Sequence, residues 1–167
     1  MSTQFVFPQD ATDPRFRAFF DYWVSRVPAP GVLPGRQHID PLDIPLQLLP
    51  GIVLIDIVPG PQRRRYRFRL IGTAFVDATG ADHTGRFVDE VVLHVKHETL
   101  AEIFGTMIRT HQPHYWEAPV TMQQRDYMAL QRLAVPLARD GANVDMIMGF
   151  YVPVVRERPL PAQAVNA

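Results

Sequence analysis

Asp13-Pro14 opens the first periodic segment of the chain, in which Phe16, Phe19, Phe20, Trp23 and Val27 recur at helical spacing before Pro28. An aspartate that caps, followed by a proline whose missing N–H costs nothing at the first helical position, predicts a helix over residues 14–27. Four large aromatics on one stripe lose about 1.5–3 kcal/mol each if left in water. The helix is therefore expected to dock on the rest of the domain or on a second copy of the chain.

Between residues 28 and 50 stand prolines 28, 30, 34, 41, 45 and 50. That density predicts an ordered connector, with at most a short helix around Leu42 to Leu49. Two alternating runs follow, Ile52 to Val58 and Arg65 to Ile71, on either side of Pro59-Gly60-Pro61. They read as an antiparallel hairpin. Pairing Val53 with Leu70, Ile55 with Phe68 and Ile57 with Tyr66 makes one face wholly apolar. The same register sets Asp56 opposite Arg67 and Leu54 opposite Arg69 on the other face, which is a seat for the aromatic helix.

Residues 73–89, broken by Gly80 and Gly85, predict one or two helical turns joined by loops. A longer helix is expected from Val92 to His111, because Leu100, Ile103, Phe104, Met107 and Ile108 share one face and Pro113 follows. Three strands complete the pattern, at about 115–121, 127–137 and 144–152, and residues 153–167 are expected to form a frayed tail. The reading is one domain over residues 14–152 after an N-terminal extension of residues 1–13.

Composition narrows the function classes. The chain has 167 residues, 47% of them hydrophobic, with 17 basic and 17 acidic side chains. That is enough for one real core, with no overall field to steer the molecule to nucleic acid or an anionic membrane. Cysteine is absent, which removes disulfides and thiolate chemistry and fits a reducing, cytoplasmic setting. Neither a signal peptide nor an apolar run of bilayer length is present. The sequence holds no Gly-x-Ser-x-Gly, no His-Glu-x-x-His, no phosphate loop and no dinucleotide fingerprint, so a non-enzyme is expected.

Five segments carry a family resemblance. They are Ile39-Asp40-Pro41-Leu42-Asp43-Ile44-Pro45, Leu48-Leu49-Pro50, Arg69-Leu70-Ile71-Gly72-Thr73, Gly80-Ala81-Asp82-His83-Thr84-Gly85 and Arg132-Leu133-Ala134-Val135-Pro136-Leu137. In this order and spacing the chain resembles the PAS-like domains found mostly as short proteins in alphaproteobacteria. The resemblance implies an α+β fold with a five-stranded antiparallel sheet in the order 2-1-5-4-3, helices enclosing a cavity on one face, and dimerisation through the N-terminal helix. It also implies a sensory or regulatory role in signal transduction, and leaves the ligand open because PAS folds host flavin, haem, small acids and protein partners alike.

The candidate cavity residues, assigned by strand and helix parity, are Phe68, Phe75, Phe87, Ile103, Met107, Tyr115, Gln131 and Leu133. Gln131 is the polar one, an amide that would need a partner if it faced inward. Candidate interface residues are Phe16, Phe19, Phe20, Trp23 and Leu54. His94 and His97, at i and i+3, could share one ion, but two ligands do not make a site. His97 and His111 lie about 21 Å apart along a helix and cannot. By the resemblance, one histidine of the long helix could ligate haem, and a noncovalent flavin stays open where a cysteinyl adduct does not. The five arginines from Arg63 to Arg69 could grip phosphates, or form a solvated sheet face with Arg67 held by Asp56. Two function readings result: a sensor that binds a small molecule or a signalling protein as a homodimer, or a ligand-free adaptor working through the N-terminal helix and the outer sheet face.

Overall fold

The computed structural model describes residues 5–91, 96–119 and 128–157. Helix α1 runs Pro14–Ser25, and its cap is the expected one: Asp13 Oδ1 accepts from the Arg15 N–H at 2.9 Å. The connector holds turns and two short 3-10 segments, Arg36–His38 and Leu49–Gly51, in place of the short helix expected around Leu42 to Leu49. Pro41 and Pro45 lack the N–H groups that a continuous helix needs. Strands β1 (Ile52–Val58) and β2 (Arg65–Ile71) have the expected limits. Helix α2 (Thr73–Thr79), a 3-10 turn (Val88–Glu90) and helix α3 (His97–Thr110) follow, then β3 (His114–Pro119), β4 (Met128–Leu137) and β5 (Met146–Val155).

The sheet order is β2-β1-β5-β4-β3, antiparallel throughout. In the first hairpin Ile55–Phe68, Asp56–Arg67 and Ile57–Tyr66 pair as the alternation requires, and then a bulge between Leu54 and Ile55 moves the register by one. Val53 therefore meets Ile71 rather than Leu70, and Leu54 meets Leu70 rather than Arg69. The bulge turns Leu70 outward, to 44% exposure. Strand β5 also continues past the point where fraying was expected, because Pro153 pairs with Leu130. β1 pairs with β5 only as far as Phe150, so Pro153 faces a free edge where no amide donor is needed.

Helices and connector cover both faces of the sheet. On one side α1 sets Phe16, Phe19, Phe20 and Trp23 against Leu54, Leu133, Val135, Leu137, Met148 and Phe150, with Leu33, Ile39, Ile44 and Leu48 of the connector closing the layer. On the other, Val53, Ile55, Phe68, Ala134 and Ile147 meet Phe75 from α2 and Leu100, Ile103, Phe104 and Met107 from α3. This corrects the interface assignment. Phe16, Phe19, Phe20, Trp23 and Leu54 are all 6% exposed or less, because the aromatic stripe finds its apolar partner within its own chain.

Candidate functional site

Between the sheet and the α2–α3 layer lies a cavity of about 90 Å³. Its wall is almost entirely apolar: Ile55 and Phe68 from the first hairpin, Phe75 and Thr79 from α2, Val88 from the 3-10 turn that precedes α3, Leu100 and Phe104 from α3, and Trp116, Ala118, Pro119 and Leu130 from the β3–β4 edge. Two polar side chains enter it from the sheet, Arg132 on β4 and Tyr151 on β5.

Arg132 is the charged residue buried among the described residues, at 3% exposure. Strand pairing places it. Trp116 on β3 and Tyr151 on β5 lie directly opposite it on its two sides, so the three side chains leave the sheet on the same face. The guanidinium sits 4.7 Å from the Trp116 ring and 5.6 Å from the Phe104 ring, which gives it two aromatic faces. One amino group donates to His114 Nδ1 at 3.2 Å, and a further hydrogen bond goes to the Tyr151 side chain. Gly149 leaves room for this arrangement, since a Cβ there would stand 2.9 Å from the Tyr151 ring.

No carboxylate pairs with Arg132 among the described residues. Its Nε–H is buried without a hydrogen-bond partner, and so is the Nε1–H of Trp116. The cavity thus holds two unused donors and a cation whose burial pulls its pKa down from the ordinary arginine value. An uncompensated charge in such a place costs several kcal/mol, which an acceptor with negative charge would offset.

His114 shares that environment. Burial first, and the Arg132 charge second, push its pKa down to about 4 from 6.5, so near neutral pH it is an uncharged imidazole whose Nδ1 accepts from Arg132. Because the folded pKa lies below the unfolded one, the unfolded chain takes up the proton first as pH falls. The contribution of His114 to stability is full above about pH 6.5 and is lost on descending toward pH 4, on the order of 2 kcal/mol after discounting for the half-buried ring. Urea unfolding at pH 7, 5.5 and 4.5 is expected to show this loss, and His114→Gln to flatten it. An unchanged slope in the variant would assign the loss to other groups.

Of the eight residues expected at the cavity, Phe68 and Phe75 are in its wall. Ile103 and Met107 are in the same core, but Leu100 and Phe104, on the adjacent stripe of α3, form the wall. Phe87 lies instead under the Arg65 guanidinium at 3.7 Å. Tyr115 and Leu133 belong to the opposite layer, where Tyr115 packs edge-on against Phe16. Gln131 shares the parity of Leu133 and stands across from Glu117 and Val152, so it does not reach the cavity. The phase of β4 is the reverse of the expected one, and its inward polar group is Arg132.

His97 and three of the clustered arginines have partners within the chain. His97 Nε2 lies 3.0 Å from the Val91 carbonyl, an N–H donor bonded within the chain, while His94 lies outside the described residues. Arg65 makes a two-pronged pair with Asp89 and reaches Glu90, and Asp56 takes Arg67 at 3.0 Å and Arg69 at 3.4 Å. Three of the five clustered arginines are thereby committed to carboxylates.

The chain is similar in its trace to several solved light-oxygen-voltage (LOV) domains. One is a fungal LOV-domain photoreceptor, 17% identical, with a TM-score of 0.49 over 81% of this chain and 90% of that one. Another is a LOV domain studied with a flavin analogue, 14% identical, TM-score 0.45, over 62% and 76%. A third is an RNA-binding LOV receptor, 13% identical, TM-score 0.47, over 91% of this chain and 37% of that one. No curated protein matches the chain. A family model for the PAS domain matches residues 11–152, which takes in α1, all five strands up to Val152 and every residue of the cavity wall, and the chain belongs to the PAS domain family.

Proposed function

We propose that this protein is a sensory or regulatory PAS domain that acts by binding a small molecule in the cavity between the sheet and α3, without catalysing a reaction. The observation that carries the reading is the cavity itself, apolar on nearly every wall and supplied at the sheet with Arg132 and Tyr151. Adjacent residues offer a route outward. Arg132 and Leu133 are neighbours on β4, and Tyr151 and Phe150 on β5. In each pair one side chain enters the cavity and the other lies under α1. A ligand that moves Arg132 or Tyr151 therefore bears on the packing of Phe150 against Phe16 and Phe19. In this reading the domain works in bacterial signal transduction in the cytoplasm.

A second reading, an interaction adaptor, draws on a different surface. The outer sheet face expected for it is covered by α1. In the connector, however, Leu42 and Leu46 are 92% and 81% exposed, which favours a partner or second copy bound there. Native mass spectrometry of freshly purified protein, followed by denaturing release and an absorbance spectrum, tests both readings. A small mass retained by the folded protein and released on unfolding is the expected result. A dimer that carries no bound mass would move the assignment to the adaptor.

A further inference from the structure

We infer that the cavity takes a small organic monoanion, a carboxylate with a short apolar tail, held at its charged end by Arg132 and Trp116. The inference rests on the reading of the cavity as a ligand site and names the chemical class of the ligand.

Three features of the wall lead to it. The first is the donor–acceptor balance: the unused polar atoms at the cavity, Arg132 Nε and Trp116 Nε1, are both N–H donors, so the missing partner is an acceptor. The second is charge. Arg132 is 3% exposed and faces no carboxylate among the described residues, and the polar neighbours beside it are an imidazole, His114, and a phenol, Tyr151. A planar guanidinium with donors free is matched by a carboxylate, whose two oxygens accept in the plane of the fork. The third is size and polarity. At about 90 Å³ the space is smaller than the 150 Å³ cavity that holds benzene, so an acid of roughly two to five carbons is the fitting scale. Ile55, Phe68, Val88, Leu100 and Leu130 leave the tail in apolar surroundings. An inorganic anion would satisfy the cation and waste that wall; a neutral alkane would fill the wall and leave both donors unpaired.

The chain has two tryptophans, and they report separately. Trp116 Nε1 is free to accept a new partner, whereas Trp23 Nε1 already donates to the Pro136 carbonyl at 3.1 Å on the far side of the sheet. In a protein dialysed free of small molecules, butanoate is expected to shift the Trp116 indole signal in NMR titrations and to leave that of Trp23 in place. Butanamide, of the same shape without the charge, and inorganic phosphate, with charge and no tail, are each expected to bind about tenfold or more weakly, the scale of one lost charge-assisted hydrogen bond. Arg132→Met should abolish the butanoate response while the Trp23 signal keeps its folded position. Trp116→Phe, which keeps the ring and removes one donor, should weaken butanoate binding as read on the Leu130 methyl groups. Butanamide binding as tightly as butanoate would overturn the anion and leave the cavity as a ligand site. Phosphate binding as tightly as butanoate would overturn the apolar tail. If none of the probes moves Trp116, the carboxylate inference falls; the ligand-site reading falls with it only if native mass spectrometry also finds no retained small mass.

Discussion

Trp23→Ala is expected to lower the unfolding free energy by about 3–5 kcal/mol, among the largest losses from a single substitution in this chain. Trp23 is fully buried, meets the Phe5 ring edge-on at 4.4 Å and lies 6.0 Å from Phe20, so truncation leaves a void that three separate segments would have to close. The change also removes the donor to the buried Pro136 carbonyl. Trp23→Phe separates the two contributions: it keeps most of the packing and loses the hydrogen bond, for a smaller cost of about 1–3 kcal/mol. Urea unfolding of both variants measures them. The loss should be independent of protein concentration, since α1 is packed on its own sheet. A cost below about 1 kcal/mol, or a midpoint that rises steeply with concentration, would mean that in solution α1 sits on another copy.

That distinction is one that periodicity in the sequence could not make. The spacing of Phe16, Phe19, Phe20 and Trp23 requires an apolar partner and is silent about whose surface supplies it. The first hairpin was more legible because two independent patterns coincide there. Its apolar alternation and the Asp56–Arg67 pair select the same register, and both hold from Ile55 to Val58. They fail at Leu54, where a bulge inserts Arg69 without any glycine to announce it. Sheet order and the helical layer around the cavity were legible only through the resemblance, since no local pattern states which strands pair across a fold.

The candidate site was harder to read, and β4 explains why. Alternation identifies the inward face of a strand only when the other face meets water. In β4 both faces are covered, and Leu133, Ala134, Val135 and Leu137 are each fully buried, so the apolar run carries no phase. Parity with the leucines led to Gln131, which belongs to the α1 side. The usable signal was the single residue that such a run should not contain. An arginine between Gln131 and Leu133, in a strand otherwise fit for a dry core, is a charge that the fold holds in place against its hydration. Its cross-strand neighbours Trp116 and Tyr151 became visible only once the pairing was known.

Phe104→Ala is the second large effect, and it links stability to binding. Phe104 is 1% exposed on α3, packs on the Tyr66 ring at 4.8 Å and forms part of the cavity wall opposite Arg132. Removing a buried phenyl group costs about 3–5 kcal/mol when the surroundings cannot collapse, and a wall that already borders open space has little to collapse with. The guanidinium also loses one of its two aromatic faces, which deepens its need for a counter-charge. The variant should therefore be strongly destabilised when empty and should recover more stability than the wild type on adding a carboxylate large enough to fill the added space. Benzoate is the probe, with benzamide as its neutral partner, and thermal unfolding at increasing concentrations is the measurement. Stabilisation by benzoate in Phe104→Ala, absent in the wild type and absent with benzamide, is the expected pattern. Equal stabilisation of both proteins would show that benzoate binds elsewhere on the chain. Stabilisation of the variant by benzamide as much as by benzoate would show that the cavity responds to shape alone and that Arg132 contributes nothing to recognition.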